Sequence, residues 1–303
     1  MGVPEDRDGL AGMTAQGSFG RRELLVGGLG LLALSGCGTR GALAAAVPGL
    51  KPATFTDLIA NYPFYVAHRG GGSNWPEMTA YAYSQAAALP WVKAIEISVC
   101  LTSDGILVCS HDATTQRVTG VDYQISKVDW ATLSRLQVTS AFTDNPGQPA
   151  RPFSRFDEVI EQYLPSMVVF AEPKTPQALE PLMARLTQLA QPERTVWKQP
   201  VNQLNFGTAK ANGLHTWGYV LDEPGHLGER LPRFAADPNI DMLGIQKSQP
   251  DAVVSRVVGL ATQNGKPTMM WAIASRAERT RGLALGCRGM MTSNIRDVPP
   301  VPH

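Results

Sequence analysis

Three short motifs carry most of the reactive side chains of this 303-residue chain: His68-Arg69, His111-Asp112 and Glu172-Pro173-Lys174. Each follows an apolar, strand-like run, so all three are expected at one rim of a sheet. An arginine and a lysine can hold phosphate oxygens, two histidines can act as acid and base, and carboxylates can bind a divalent cation. Each motif alone has an ordinary structural explanation, but together they predict hydrolysis of a phosphodiester.

The body of the chain alternates short apolar runs with amphipathic stretches of helix length. Strands are predicted at Phe64–Ala67, Ala94–Val99, Leu107–Ser110, Val168–Ala171, Thr195–Lys198, Thr216–Val220, Met242–Ile245, Thr268–Trp271 and Gly289–Thr292. Helices are predicted near Met78–Leu89, Phe156–Tyr163, Gln177–Leu189, Gln203–Asn212, Asp251–Asn264 and Ala277–Leu285. This order, with strands apolar on both faces, indicates a parallel sheet covered by helices. About eight such units favour an α/β fold closed into a TIM-type (β/α)8 barrel.

One connection is too short for a parallel crossover. Only Thr102-Ser103-Asp104-Gly105 separates the second and third strands, which predicts an antiparallel β-hairpin. If the turn is centred between its second and third residues, Glu96 faces His111 and Ser98 faces Cys109. The hairpin would then bring a carboxylate and a histidine to the same level along the barrel axis.

The long stretch from Ala113 to Ser166, before the strand that carries Glu172, is predicted to be an insertion over the mouth of the barrel. It includes a short helix at Trp130–Leu136 and a loop from Thr143 to Pro152. Loops at this end of a barrel are where active sites are built.

The first 37 residues have the pattern of an export signal. Arg21-Arg22 precede an apolar stretch, Leu24–Gly36, that is short for a transmembrane helix and ends in the lipobox-like Leu34-Ser35-Gly36-Cys37. The alternative, an uncleaved anchor or a buried helix, is disfavoured by four glycines in the stretch. Translation from either Met1 or Met13 is compatible with the pattern.

We therefore expect an exported lipoprotein, anchored to a membrane through a lipid on Cys37. Residues 38–55 would be a flexible tether and residues 56–300 the barrel domain. The formal net charge of +1 gives no reason to expect a nucleic-acid partner. After Cys37, three cysteines remain, an odd number that argues against a disulfide framework.

Several segments resemble the glycerophosphodiester phosphodiesterase family, whose members have a TIM-type barrel. AHRGGGSNWPEMTAYAYSQA is similar to the family's His-Arg-Gly and Pro-Glu-Asn-Thr motifs, with Met78 in place of asparagine. AIEISVCLTSDGILVCSHDATTQRVTG is similar to its Glu-x-Asp strand, Thr-x-Asp-Gly turn and His-Asp strand. FAEPK, MMWAI and GMMTSN resemble later strands of the family. The resemblance covers about Phe64 to Asn294 and is most specific in its first half.

The resemblance implies cleavage of glycerophosphodiesters, or of lysophospholipids, to glycerol 3-phosphate and an alcohol with Ca²⁺ or Mg²⁺. It implies acid and base roles for His68 and His111, and phosphate binding for Arg69 and Lys174. It implies metal ligation for Glu96 and Glu172 with Glu77 near the metal, and packing against the substrate for Trp271.

Two positions depart from the family pattern. Ser98 lies where an aspartate ligand is expected, and Asn294 where aspartate is frequent. Loss of a carboxylate weakens a site for a hard cation. Three interpretations follow: a metal held by Glu96, Glu172, waters and a substitute such as Glu77 or Asp112; histidine catalysis without a metal; or a protein that only binds phosphorylated ligands. A phospholipase D-like or lyase reaction giving a cyclic phosphate is a further alternative.

Overall fold

Eight parallel strands close into a barrel in the computed structural model, which describes residues 53–139, 147–189, 191–221 and 226–300. The barrel strands are β1 (Phe64–Ala67), β2 (Ala94–Leu101), β6 (Val168–Pro173), β7 (Thr195–Pro200), β8 (His215–Val220), β9 (Met242–Gln246), β10 (Thr268–Ile273) and β11 (Gly289–Thr292). They follow the order β1-β11-β10-β9-β8-β7-β6-β2, and pairing of β1 with β2 closes the ring. The predicted TIM-type barrel is confirmed.

Helices cover the outside of the barrel. The α-helices are α1 (Phe55–Ala60), α2 (Ala80–Ala87), α3 (Gln116–Thr119), α4 (Trp130–Leu133), α5 (Phe156–Tyr163), α6 (Pro176–Gln188), α7 (Phe206–Ala211), α8 (Leu231–Ala236), α9 (Asp251–Gln263) and α10 (Arg276–Ala284). Short 3-10 helices span His68–Gly70, Ile125–Lys127 and Pro192–Arg194. None of the helices in the described part of the chain has the length and hydropathy that a bilayer crossing requires.

Alternate positions on the barrel strands point into the barrel, and most of the inward side chains are apolar. Val66, Ala94, Val168, Phe170, Val196, Trp217, Met242, Met269 and Met291 form this interior cluster. Phe55 of α1 also belongs to it and stacks on His215, so α1 covers the amino-terminal end of the barrel. Toward the other end, the same inward-facing positions become polar, at Glu96, Glu172 and Lys198.

The hairpin is present, but its predicted register is wrong by one residue. β2 pairs with β3 (Leu107–Cys109) so that Cys109 lies opposite Val99, and neither Glu96 with His111 nor Ser98 with Cys109 forms a pair. The loop has three residues rather than four, because Thr102 and Ile106 still hydrogen-bond to each other. Gly105 adopts a left-handed φ of 81°, which is typical of three-residue hairpin loops.

The insertion packs against the hairpin. Val118, Ile125, Leu133, Val138 and Phe153 form an apolar cluster with the hairpin residues Cys100 and Val108. Two short strands, β4 (Gln137–Val138) and β5 (Arg151–Pro152), pair within the insertion. The insertion therefore has its own small core, and its first helix, α3, extends toward the rim that carries His111 and Asp112.

The folded domain begins earlier than predicted. Ala53 is buried and α1 starts at Phe55, within the expected tether of residues 38–55. Thr54 and Asp57 form a capping box that fixes the start of α1. The predicted signal, Cys37 and most of the predicted tether lie outside the described residues. The described cysteines, Cys100, Cys109 and Cys287, are free and buried.

Candidate active site

His68 lies where β1 ends, at the first residue of a 3-10 turn. Its ring Nδ1 is 2.7 Å from the hydroxyl of Ser293, which follows β11, the neighbouring strand in the barrel. Burial lowers the pKa of His68 well below its ordinary value, and the positive charge of Arg69 acts in the same direction. The ring is therefore neutral near pH 7, as a general base must be.

His111 follows the hairpin and lies at the same rim. Its Nδ1 is 2.7 Å from Oδ1 of Asp112, whose other oxygen accepts from Nε of Arg117 on α3. Burial, followed by Arg69 and Lys174, lowers the pKa of His111 to about 4, although the hydrogen bond with Asp112 opposes this. The two histidines are close enough for the charge of His111 to affect the pKa of His68.

Glu77 is paired with arginines and is not grouped with the other predicted metal ligands. Its carboxylate accepts from Nη1 of Arg69 and from both terminal nitrogens of Arg117. Glu77 is almost fully buried, so these charge-assisted bonds hold both guanidinium groups in place. The predicted phosphate ligand Arg69 is therefore oriented by Glu77.

Glu96, Ser98 and Glu172 do come together inside the barrel, because Ser98 is in register with Glu172 and Glu96 lies two residues earlier on the same face. Nζ of Lys198 lies between the two carboxylates, 2.7 Å from Oε1 of Glu96 and 2.6 Å from Oε2 of Glu172. The Ser98 hydroxyl donates to Glu96 at 3.0 Å. Burial raises the pKa of Glu96, but Lys198 and then His68 outweigh it, so the pKa lies below its ordinary value.

Lys174 lies at the rim, with Nζ 3.1 Å from Oε1 of Glu172. The same carboxylate oxygen accepts from the Tyr219 hydroxyl at 2.6 Å. Trp271 packs edge-on against Tyr219, with ring centroids 5.3 Å apart. Beside them is an open cavity of about 400 Å³, lined by residues that include Glu172, Lys174, Gln199 and Tyr219. The two predicted acid–base histidines and the two predicted phosphate ligands, Arg69 and Lys174, thus lie at the same rim.

The donor set does not fit a divalent cation as it stands. In the described residues no group of three or more His, Cys, Asp or Glu side chains converges in a way that could hold a metal ion. The two carboxylates that do converge already have an ammonium between them. Calcium needs six to eight oxygen ligands, and magnesium needs an octahedral set. The expected Ca²⁺ or Mg²⁺ stays a prediction that metal analysis must test.

Asn294, the second departure, has a structural role. Its amide donates to the carbonyl of Ala274 and accepts from the side chain of Asn74, which links the loops after β1, β10 and β11. These contacts use both ends of the amide. Asn294 therefore braces the rim near His68 and contributes no charge to it.

Sequence reasoning missed Lys198, Ser293 and Arg117. Lys198 lies two residues after Val196 on β7, and Val196 points into the barrel. Because residues two apart on a strand share a face, the sequence alone could have placed Lys198 inside the barrel. Ser293 is 225 residues from His68 in the sequence, and Arg117 is 40 residues from Glu77, so no local pattern marks these contacts.

The barrel and its rim define a TIM-barrel protein that brings two histidines, an arginine and a lysine together at the carboxyl end of its strands. The sequence profile of the "Glycerophosphoryl diester phosphodiesterase family" matches residues 68–219. The chain belongs to this family, whose members are phosphoric diester hydrolases.

Curated relatives match over short segments. "Probable glycerophosphodiester phosphodiesterase 1" of Mycobacterium tuberculosis is 37% identical over 81 residues, which is 27% of this chain and 29% of the relative. A glycerophosphodiester phosphodiesterase of Caldanaerobacter subterraneus is 46% identical over 54 residues, 18% of this chain and 22% of the relative. The alignments thus span less than a third of either relative.

Solved structures match over the whole barrel. A glycerophosphodiester phosphodiesterase of Thermotoga maritima has a TM-score of 0.61 and 18% identity, covering 76% of this chain and 94% of the other. An Oleispira antarctica phosphodiesterase in complex with the product sn-glycerol-3-phosphate has a TM-score of 0.59 and 23% identity, covering 77% and 94%. At these identities the likeness establishes the fold.

Proposed function

We propose that the chain hydrolyses glycerophosphodiesters or lysophospholipids to glycerol 3-phosphate and an alcohol. The observation that carries this is the pair of rim histidines, each with Nδ1 engaged and each beside Arg69. Family membership and the product named for the Oleispira relative support the same substrate class.

The environments of the histidines suggest separate roles. His68 is buried and paired with a neutral hydroxyl, which favours the neutral base. The Asp112 carboxylate stabilises the protonated form of His111, although burial and nearby cations still hold the pKa of His111 at about 4, so His111 acts as the acid in the fraction of the protein that carries this proton. In the proposed reaction a water oxygen bonds to phosphorus, and Nε2 of His68 takes the water proton. The bond between phosphorus and the leaving alcohol oxygen breaks, and His111 donates a proton to that oxygen.

Arg69 and Lys174 would bind the non-bridging phosphate oxygens, because both are cations at the rim with partly exposed side chains. The cavity beside Lys174 and Tyr219 offers space for the glycerol or the head group. The reaction can be tested with glycerophosphocholine and a lysophospholipid, each with and without Ca²⁺ or Mg²⁺. Turnover no faster than that of His68→Ala would contradict the proposal and favour a protein that only binds phosphorylated ligands.

We further propose that the protein is exported and anchored through a lipid on Cys37. The support is the sequence pattern of residues 21–37, with paired arginines and a lipobox-like end. Labelling of cells with a fatty-acid analogue should mark the wild-type protein and not Cys37→Ser. Equal labelling of both, or an unlabelled wild type, would contradict the anchor.

A further inference from the structure

The most unusual group in the barrel is a lysine between two buried carboxylates. Lys198 lies on β7 in an inward-facing position, and its side chain is 7% exposed. It extends between Glu96 on β2 and Glu172 on β6 and contacts both within hydrogen-bond distance. Its ammonium also lies 5.5 Å from the ring centres of Trp217 and Tyr219.

Each oxygen of the two carboxylates has a hydrogen-bond donor. Oε1 of Glu96 accepts from Lys198 and Ser98, and Oε2 accepts from the backbone N–H of Arg69. Oε1 of Glu172 accepts from Lys174 and Tyr219, and Oε2 contacts Lys198. A metal ion would have to displace these donors and would lie against the positive charge of Lys198.

We propose that Lys198 is a built-in cation that takes the place of a divalent metal, so that phosphodiester cleavage at this site does not depend on Ca²⁺ or Mg²⁺. The inference rests on the proposed function for its catalytic part. Lys198 acts as a positioning residue: it fixes Glu96 and Glu172, which in turn hold the backbone of Arg69 and the ammonium of Lys174.

Ser98 is compatible with this arrangement. Two carboxylates and one ammonium leave a formal charge of −1 in the cluster. Replacing Ser98 by aspartate, removing the lysine charge and adding a divalent cation would give three carboxylates with a charge of +2, and hence the same formal charge. A cluster with a neutral residue at position 98 and a lysine at position 198 therefore has the same formal charge as a metal site with a third carboxylate.

This equivalence defines the test. Wild-type protein purified without chelators should contain no stoichiometric Ca²⁺ or Mg²⁺ by elemental analysis, and neither cation should raise the melting temperature of the EDTA-dialysed protein. The double variant Ser98→Asp/Lys198→Ala should bind Ca²⁺ in a calorimetric titration, and Ca²⁺ should raise its melting temperature. These readouts test the cation site even if no substrate is turned over.

A second set of measurements compares the rates of the variants with and without Ca²⁺. The wild-type rate with glycerophosphocholine should be the same in EDTA and in Ca²⁺, and Lys198→Arg should keep this metal independence. Lys198→Met should lose about 100-fold or more in EDTA, because two buried carboxylates are left without their cation. Lys210→Met, which removes a partly exposed lysine paired with Asp241 at the other end of the barrel, is the matched control and should leave the metal response unchanged.

Several results would overturn the inference. A stoichiometric divalent cation in the wild-type protein, or wild-type activity that EDTA abolishes and Ca²⁺ restores, would show that Lys198 does not replace a metal. Failure of the folded double variant to bind Ca²⁺ would show that the cluster is not a cation site. An inactive wild type that still lacks metal would contradict the proposed function and leave the cation replacement standing.

Discussion

The two rim histidines, His68 and His111, are oriented by different partners, and this difference predicts different losses of activity when each partner is replaced. Nδ1 of His68 contacts the neutral hydroxyl of Ser293, whereas Nδ1 of His111 contacts the carboxylate of Asp112. Arg117 donates to the second oxygen of Asp112 and also binds Glu77. Ser293→Ala and Asp112→Asn are the matched perturbations, because each keeps the backbone and changes one partner.

The expected magnitudes follow from hydrogen-bond energetics. A neutral hydrogen bond contributes about 0.5–1.5 kcal/mol, so Ser293→Ala should lower kcat by about 2- to 10-fold. A bond to a charged group contributes about 1.5–3 kcal/mol, and the partial exposure of both His111 and Asp112 favours the lower part of that range. An asparagine amide must also turn its NH₂ toward either the histidine or Arg117, both of which donate. Asp112→Asn should therefore cost about 10- to 30-fold.

The assay is steady-state release of choline from glycerophosphocholine, with kcat and KM determined separately for each variant. Both substitutions should act on kcat, because neither side chain is placed to bind the phosphate. Unchanged melting temperatures serve as the control for folding. Wild-type kcat in Asp112→Asn, or a larger loss in Ser293→Ala than in Asp112→Asn, would refute the assignment of His111 as the acid that its carboxylate partner supports.

Three further predictions address other parts of the molecule. Because the pKa of His111 in the free protein is about 4, the protonated acid is lost as the pH rises, and kcat/KM should fall above about pH 5. An increase of kcat/KM above that pH would contradict the role of His111 as acid. Asp241 accepts hydrogen bonds from Lys210 and from the backbone of Thr216. Burial raises the pKa of Asp241, but its hydrogen bonds outweigh burial and bring the pKa below its ordinary value. Its contribution to stability is therefore present at neutral pH and is lost as the pH falls through the folded-state pKa. Urea unfolding of Asp241→Asn should show a loss of about 1–2 kcal/mol at pH 7 that shrinks below about pH 4, and an equal loss at both pH values would be inconsistent with this. Gly244→Ala should lower the free energy of unfolding by about 1–3 kcal/mol in thermal denaturation, because its Cβ would overlap the Trp217 ring, and wild-type stability would show that the barrel interior is looser than the structure indicates.

Much of the fold could be predicted because hydrophobic periodicity is local. The strands Phe64–Ala67 and Gly289–Thr292 and the helix Phe156–Tyr163 have the predicted bounds, and the other barrel strands differ by one or two residues at their ends. The register of the hairpin was wrong because it depends on the backbone of Gly105, whose left-handed conformation shortens the loop. The capping box of Thr54 and Asp57 is a local sequence signal that marks the start of α1.

Without the family resemblance, the site was predictable mainly where its residues follow strand ends. His68 and His111 are found in this way, and so are Arg69 and Lys174 beside them. Lys198 is different, because its importance depends on which side chains of β2 and β6 it meets inside the closed barrel. In the sequence, Ser98 indicates only the loss of an expected aspartate ligand. In the structure it is one member of a rearranged cluster in which a lysine ammonium lies between the carboxylates.

We propose that the two rim histidines hydrolyse a phosphodiester through direct attack of water. The most direct test is phosphorus NMR of glycerophosphocholine incubated with the EDTA-dialysed protein in ¹⁸O-labelled water. The wild type should form glycerol 3-phosphate that carries one ¹⁸O atom, and His68→Ala should not. Accumulation of a cyclic phosphate, or an unchanged substrate signal with the wild type, would contradict the proposal.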